Sequence, residues 1–285
     1  MLEILVTCAV SFVVGGFLGK KLAARGITAN TNLERHQGKI LLGLIAGVII
    51  IISIYLLNLF NLIHQVLFFV PPILLLYIGA YPYEIVLIAG FFVLGLLLFL
   101  ELSGKTSFRR KIQLFFAIAI LTAPLTVFLN SYLPLTNSLG ESIITQDGVV
   151  FQSTSYTCAP SSIATLARFT KKHPNITEKD VVKLTKTNKF GTSTLAEIRA
   201  MEKLGLNPEY KNGLTIQDLV KINQPGVLHV RLKSAGRTIG HAVALLSVDP
   251  AKQVLIIADP LSGMKEIKFS QLKGYWFGEI VLIRV

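Results

Sequence analysis

Apolar residues are spread very unevenly along this 285-residue chain, and that unevenness limits what it can fold into more than any other feature. Residues 1 to about 133 are mostly long apolar runs, whereas 134 to 285 mix charged residues with short apolar segments. A bilayer core of ~30 Å asks for about 20 apolar residues per helix. Leu2–Gly19, Ile40–Leu62, Glu84–Leu102 and Ile112–Leu133 meet or approach that length. The expected organisation is an α-helical transmembrane region over 1–133, with helices at 2–19, 40–62, 84–102 and 112–133, followed by a separate domain over 134–285. The first run has no basic residues before it, carries Glu3 at its start, and is followed by Lys20, Lys21 and Arg25. It reads as a retained anchor, not a cleaved signal peptide.

Between the second and third runs lies Gln65–Ala80, apolar but shorter, with Pro71-Pro72 in its middle. Paired prolines remove backbone donors and break a helix, so 65–80 fits a re-entrant or interfacial piece better than a simple span, with a kinked span as the alternative. Charge supports this. Basic residues cluster in Lys20–Lys39 and Lys105–Lys111, and the positive-inside rule wants both clusters in the cytoplasm. That requires an even number of crossings between them, supplied by runs two and three alone. The N-terminus and the domain after Leu133 then lie on the extracytoplasmic side of a multi-pass cell-membrane protein.

The formal net charge is +12. In the second half the lysines (Lys171, Lys172, Lys179, Lys183, Lys186, Lys189) are scattered along candidate helices, without the aromatic-plus-basic pattern of an RNA-binding surface. Membrane lipid headgroups are the expected partner for this charge, and nucleic acid is not. There is no Walker A loop for ATP and no HExxH or paired Cys/His spacing for a metal, so no cofactor is expected. The two cysteines, Cys8 and Cys158, are too few for a disulfide framework.

In the second half, Thr177-Glu-Lys-Asp180 and Thr194-Leu-Ala-Glu197 read as helix N-caps, the second as a capping box. The Thr194 helix is expected to end at Gly205, a natural C′ residue. Thr215-Ile-Gln-Asp218 starts another short helix. Val227–Leu232, Ala242–Val248, Val254–Ala258 and Glu279–Val285 then read as strands. Helices first and an antiparallel sheet second make an α+β domain. Asp249-Pro250-Ala251-Lys252 is a turn sequence. A three-residue loop at 250–252 would pair Asp249 with Gln253 and set His241 opposite Leu261, with Asp259 its diagonal neighbour on the same face. A two-residue loop would instead send His241 and Asp259 to opposite faces.

Cys158 lies in Gln152-Ser-Thr-Ser-Tyr-Thr-Cys-Ala-Pro-Ser-Ser-Ile-Ala, a loop running straight into an amphipathic helix. A helix N-terminus favours negative charge and biases a thiol there toward its thiolate. His241 and Asp259 downstream, and Gln152 six residues before, complete a set suited to nucleophilic chemistry. His229, in the first of the four strands, competes with His241 for the part of base. His36, His64 and His173 read as loop or membrane-edge residues.

Gln152…Cys158 at the loop-to-helix junction, Gly240-His241 opening a strand, Ile256-Ile257-Ala258-Asp259-Pro260 closing the next, and Tyr275-Trp276-Phe277-Gly278 near the end together resemble the C39 family of papain-like cysteine peptidases over about residues 145 to 285. The resemblance implies a papain-like α+β domain. Cys158 would be its nucleophile, His241 the base and then the acid, and Asp259 the group that orients the imidazole. The Gln152 side-chain amide and the Cys158 backbone N–H would stabilise the oxyanion. Many members are joined to ABC exporters and cleave after a Gly-Gly-like pair. Here Thr157-Cys158-Ala159 stands where exporter-linked members usually have Asp-Cys-Gly, and the likeness is closer to the stand-alone branch. The expected activity is cleavage of a peptide or small exported protein near the membrane, after small residues such as glycine. A catalytically silent peptide-binding module on a membrane anchor is the alternative. A transporter regulated by its soluble part ranks behind both, because the apolar runs hold few charges.

Overall fold

The computed structural model describes residues 2–25, 77, 80–102, 130–137, 139–234 and 237–284. The chain divides into two compact units, Met1–Asn130 and Ser131–Val285.

In the first unit the described residues form two apolar helices, α1 (Leu2–Ala24) and α2 (Pro82–Leu102). α1 continues five residues beyond the expected end at Gly19 and takes Lys20 and Lys21 into its last turns, where ammonium groups face the negative end of the helix dipole. Among the described residues, one helix, Glu3–Ala24, is long and apolar enough to cross a membrane, and Leu87–Leu100 is a shorter apolar stretch. The expected runs at 40–62 and 112–133 and the segment 65–80 lie outside the described residues, apart from a few at their ends.

The two helices pack through small residues. The Ser11 hydroxyl donates to the Ile88 carbonyl at 2.8 Å. A Cβ at Gly15 would run into the Phe92 carbonyl oxygen, and one at Gly19 into that of Leu96. Glycine on one helix thus lets the backbone of the other come close. Contacts advance together, from 11 with 88 through 15 with 92 to 19 with 96, so the helices run parallel.

The second unit is α+β. Its helices are α3 (Cys158–Phe169), α4 (Glu178–Thr185), α5 (Thr194–Lys203) and α6 (Ile216–Ile222). Six strands, β1 (Pro208–Lys211), β2 (Gly226–Ser234), β3 (Arg237–Asp249), β4 (Val254–Asp259), β5 (Gly263–Lys268) and β6 (Trp276–Ile283), form one sheet in the order β1-β6-β2-β3-β4-β5. Its strand pairs are antiparallel. Helices do not simply precede strands as expected, because β1 falls between α5 and α6. With only four residues, and Pro208 at its start, it carries no alternation to read.

Local chemistry explains the helix starts, with one correction. The reciprocal capping box is at Thr177 with Asp180 and again at Thr215 with Asp218, not at Thr194. Ser193 caps α5 instead, accepting from the Ala196 amide, and the Glu197 carboxylate turns into the protein to meet His229. Gly205, with φ +63°, lies just beyond the end of α5, a backbone region costly for other residues.

Each face of the sheet is covered. Val227, Ala242, Ala244, Ala258 and Val281 pack with Ile163, Leu166 and Met201 of α3 and α5. Leu228, Val243, Leu245, Ile257 and Ile280 pack with Leu219 of α6 and with Leu272 and Trp276. Burial on both faces is why β4 reads as the continuous run Val-Leu-Ile-Ile-Ala, without alternation. α3 lies close to β3 because its sheet side is small. Ser162 donates to the Ala242 carbonyl at 3.0 Å, and the Val150 amide donates to Thr165 at 3.0 Å.

The β3–β4 hairpin differs from its expected form and still reaches the same end. Asp249 pairs with Val254, so the loop is the four residues Pro250–Gln253, with Gln253 at φ +55°. That shifts the ladder by one residue. Leu246 is then an extra residue between Leu245 and Ser247, a β-bulge that shifts it back. Beyond the bulge Leu245 pairs with Ile257 and Ala244 with Ala258, the register that a three-residue loop would have produced.

Candidate active site

Cys158 is the first residue of α3. Thr157 puts no side-chain oxygen over the first turn; its hydroxyl turns back to the Thr154 carbonyl at 3.1 Å. The positive end of the helix is therefore left to the thiol. Ser162 lies four residues on, on the same side of the helix, and its bond to Ala242 ties α3 to the residue next to His241. With the packing of Ile163 and Leu166 on the sheet, this bond sets the height of Cys158 against β3.

His241 and Asp259 come together as a buried pair, with Nε2 of the imidazole 2.9 Å from Oδ1 of the carboxylate. Nδ1 is then the ring atom left for the Cys158 thiol, with which His241 also interacts. Burial works against a charged imidazole here. Hydrogen bonds to Asp259 and to Cys158, and the charges of both, outweigh it and bring His241 up to about 9. Asp259 balances the same way: burial would raise it, but hydrogen bonds from His241, the Leu261 amide, Ser262 and Lys265 hold it far below the usual carboxylate range.

Gln152 sits in a loop fastened at two points. Its amide N–H donates to the Pro260 carbonyl at 3.0 Å, and the next amide, of Ser153, donates to the buried Glu178 carboxylate at 2.9 Å. Its Nε2 donates to the Thr154 carbonyl at 2.7 Å. That nitrogen carries a second hydrogen, which is the one an oxyanion would take.

His229 is elsewhere. Its Nε2 lies 2.8 Å from Glu197 and its Nδ1 3.0 Å from Glu279, so both ring nitrogens are committed to carboxylates. Burial opposes its charge, and the two glutamates overcome that and raise it well above its usual value. The hydroxyl of Tyr210 lies nearby and is raised by burial and by Glu279. His173 is a loop residue whose Nε2 meets the Leu204 carbonyl at 3.0 Å, whereas His36 and His64 lie outside the described residues. Among the described residues no cluster of His, Cys, Asp or Glu could hold a metal ion.

Sequence reasoning missed Ser162, Glu178, Ser262 and Lys265, which position the named groups. Ser162 alone left a local signal, being one helical turn from Cys158. The others act across loops and strands.

A thiol at the start of a buried helix, facing an imidazole held by a carboxylate on an antiparallel sheet, defines the papain-like class of cysteine peptidases. Residues 146–284 match the Peptidase C39 family, and this unit is a C39 cysteine peptidase domain, a hydrolase. Solved structures with a similar fold include a double glycine motif protease from an AMS/PCAT transporter in complex with the leader peptide. It is 18% identical, has a TM-score of 0.40, and the match covers 50% of this chain and 97% of that one. The peptidase domain of Streptococcus ComA, described as a bi-functional ABC transporter involved in a quorum sensing pathway, is 25% identical with a TM-score of 0.38, covering 47% and 94%. The peptidase C39-like domain of a toxin secretion ATP-binding protein from Vibrio parahaemolyticus is 14% identical with a TM-score of 0.37, covering 46% and 98%. No curated protein matches the chain.

Proposed function

We propose that this protein is a membrane-anchored cysteine endopeptidase in which Cys158 is the nucleophile, His241 the acid and base, Asp259 the group orienting His241, and Gln152 an oxyanion donor. The observation that carries this reading is the imidazole of His241 held between the Cys158 thiol and the Asp259 carboxylate. The sulfur attacks the peptide carbonyl carbon as a thiolate, while His241 holds the proton as an imidazolium. The oxygen of the tetrahedral intermediate takes hydrogen bonds from the Cys158 backbone N–H and the second Gln152 amide hydrogen. His241 then gives its proton to the leaving amine, and a water deprotonated by His241 cleaves the thioester. The substrate is a peptide or small exported protein cut after small residues such as glycine. A membrane anchor raises its effective concentration near membrane-borne substrates. A cysteine-directed peptidyl probe should label Cys158 in the reduced full-length protein; absence of labelling favours the silent peptide-binding module.

The anchor in this reading has four spans, with 65–80 re-entrant and the peptidase unit outside the cytoplasm. The parallel packing of α1 and α2 supports that count. If both helices cross in the same direction, the chain must cross an odd number of times between them. Run 40–62 alone satisfies this, and 40–62 together with 65–80 does not. A membrane-impermeant thiol reagent on intact cells should reach Cys158, and should reach a Ser107→Cys variant only after permeabilisation. The reverse pattern overturns the topology.

A further inference from the structure

Four donors converge on one carboxylate, and two of them come from side chains with no part in the chemistry so far. Oδ1 of Asp259 takes the His241 ring and the Leu261 amide, each at 2.9 Å. Oδ2 takes the Ser262 hydroxyl at 2.7 Å and the Lys265 ammonium at 3.1 Å. Each carboxylate oxygen has two lone-pair sites, so the group is saturated and cannot rotate without breaking bonds on both sides.

The β4–β5 hairpin builds this arrangement. Asp259 pairs with Gly263, closing a three-residue turn over Pro260–Ser262, and Gly263 adopts φ +85° to make it. Ile257 pairs with Lys265, so Lys265 stands on the same face as Ile257 and Asp259, diagonal to the carboxylate. The same turn holds the Gln152 loop through the Pro260 carbonyl.

We propose that Lys265 is a positioning residue that limits the basicity of His241 through Asp259, with Ser262 locking the carboxylate's orientation. The inference rests on the assignment of His241 as the acid and base. An ammonium on Oδ2 draws part of the carboxylate's charge away from Oδ1, and its own charge opposes a proton on the ring. The groups acting on His241 are Cys158 from α3, Asp259 at the end of β4 and, through Asp259, Lys265 from β5. The half-buried Tyr275 hydroxyl lies in the field of the same carboxylate and is raised to about 12, first by burial and then by Asp259. Lys265 acts to lower His241, the reverse of Asp259 and Cys158. Its side chain is 43% exposed against 4% for Asp259, so salt screens part of the effect.

The test reads His241 directly and does not depend on turnover. Full-length protein in detergent, labelled at histidine and carrying Cys158→Ala, is titrated by NMR with Lys265 intact, as Lys265→Met and as Lys265→Arg. Lys265→Met should raise the His241 midpoint by roughly half a pH unit, Lys265→Arg should restore it, and 0.5 M salt should shrink the difference. Ser262→Ala should raise the midpoint by less than Lys265→Met does, because the hydroxyl withdraws charge from Oδ2 without carrying any of its own, while lowering kcat in the protein with Cys158 intact. An unchanged or lowered midpoint in Lys265→Met overturns the inference. Loss of stability without a shift in midpoint also overturns it, since that is what a purely structural ion pair would produce. Failure of the peptidyl probe to label Cys158 would count against the catalytic reading alone.

Discussion

His241 and His229 sit on paired strands one register step apart, and they are built for opposite purposes. His241 pairs with Val230 across the β2–β3 ladder, and His229 pairs with Ala242. Val230 belongs to one core and Ala242 to the other, so a single residue of offset sends the two rings to opposite faces of the sheet. His241 is buried and His229 nearly so, each beside carboxylates, and both are raised. The difference lies in how many ring nitrogens are used. Asp259 occupies one nitrogen of His241 and leaves the other to the thiol. Glu197 and Glu279 occupy both nitrogens of His229. A proton can be exchanged at the first ring with a reacting group, whereas the second ring gives both nitrogens to two buried acids and joins α5 to the sheet. Charge raised by a neighbour is therefore no sign of catalysis unless a nitrogen remains for the substrate's chemistry.

The strongest way to break this comparison is to remove each ring in turn. Cys158→Ala and His241→Ala should each lower kcat by roughly 10⁴-fold or more, to similar residual rates, because members of one catalytic unit are non-additive. His229→Gln should instead cost about 3–5 kcal/mol, the penalty for leaving buried charges unpaired, while the folded fraction still takes the peptidyl probe. Trp276, the chain's one tryptophan, lies in the second unit, so its fluorescence during denaturant unfolding reads that loss without interference from the first unit. If His229→Gln folds normally and is inactive while His241→Ala works, the assignments are reversed.

Next in size come the supports of the reactive pair. Gln152→Ala should lower kcat by about 10²–10³-fold with little change in KM, as loss of an oxyanion donor does. Asp259→Asn should retain some activity, with a loss toward the lower end of the ~10²–10⁴-fold that acid–base catalysis supplies, because an amide oxygen can still accept from the ring. It removes the negative charge, so the alkaline limb of kcat/KM should fall below its wild-type position.

The smallest effects are in pH dependence. Wild-type activity should decline as pH rises through about 9, where the imidazolium of His241 is lost. For stability the sign follows from a raised histidine. The contribution of His229 is full below its usual value of 6.5 and is lost progressively as pH rises through its higher folded value. Unfolding followed at Trp276 should therefore show a midpoint that drops on the alkaline side in the wild type and drops less in His229→Gln. A midpoint equally steep in both would mean that other groups govern the alkaline loss.

What the amino-acid order determined by itself was whatever short-range chemistry sets. Thr177 and Thr215 start helices because each reaches an amide three residues on, Gly205 ends one because its backbone conformation favours glycine, and the Cys158 loop meets its helix where the sequence turns from polar to periodic. β2, β3, β4 and β6 were legible for the same reason. β1 was not, because four half-buried residues carry no pattern, and neither was β5, whose exposed Met264, Lys265 and Glu266 look like loop. The capping role of Ser193 was missed because Glu197, in the right place for a box, is drawn away to a histidine 32 residues later. Only the tertiary structure decided which residues meet. The four-residue loop at 250–253 would have thrown His241 out of line with Asp259 had the bulge at Leu246 not restored the register. It also decided that His229 would be enclosed by two acids and that Lys265 would reach Asp259. Such pairings depend on strand register and helix packing summed over many weak contacts, and no local run of sequence encodes that sum.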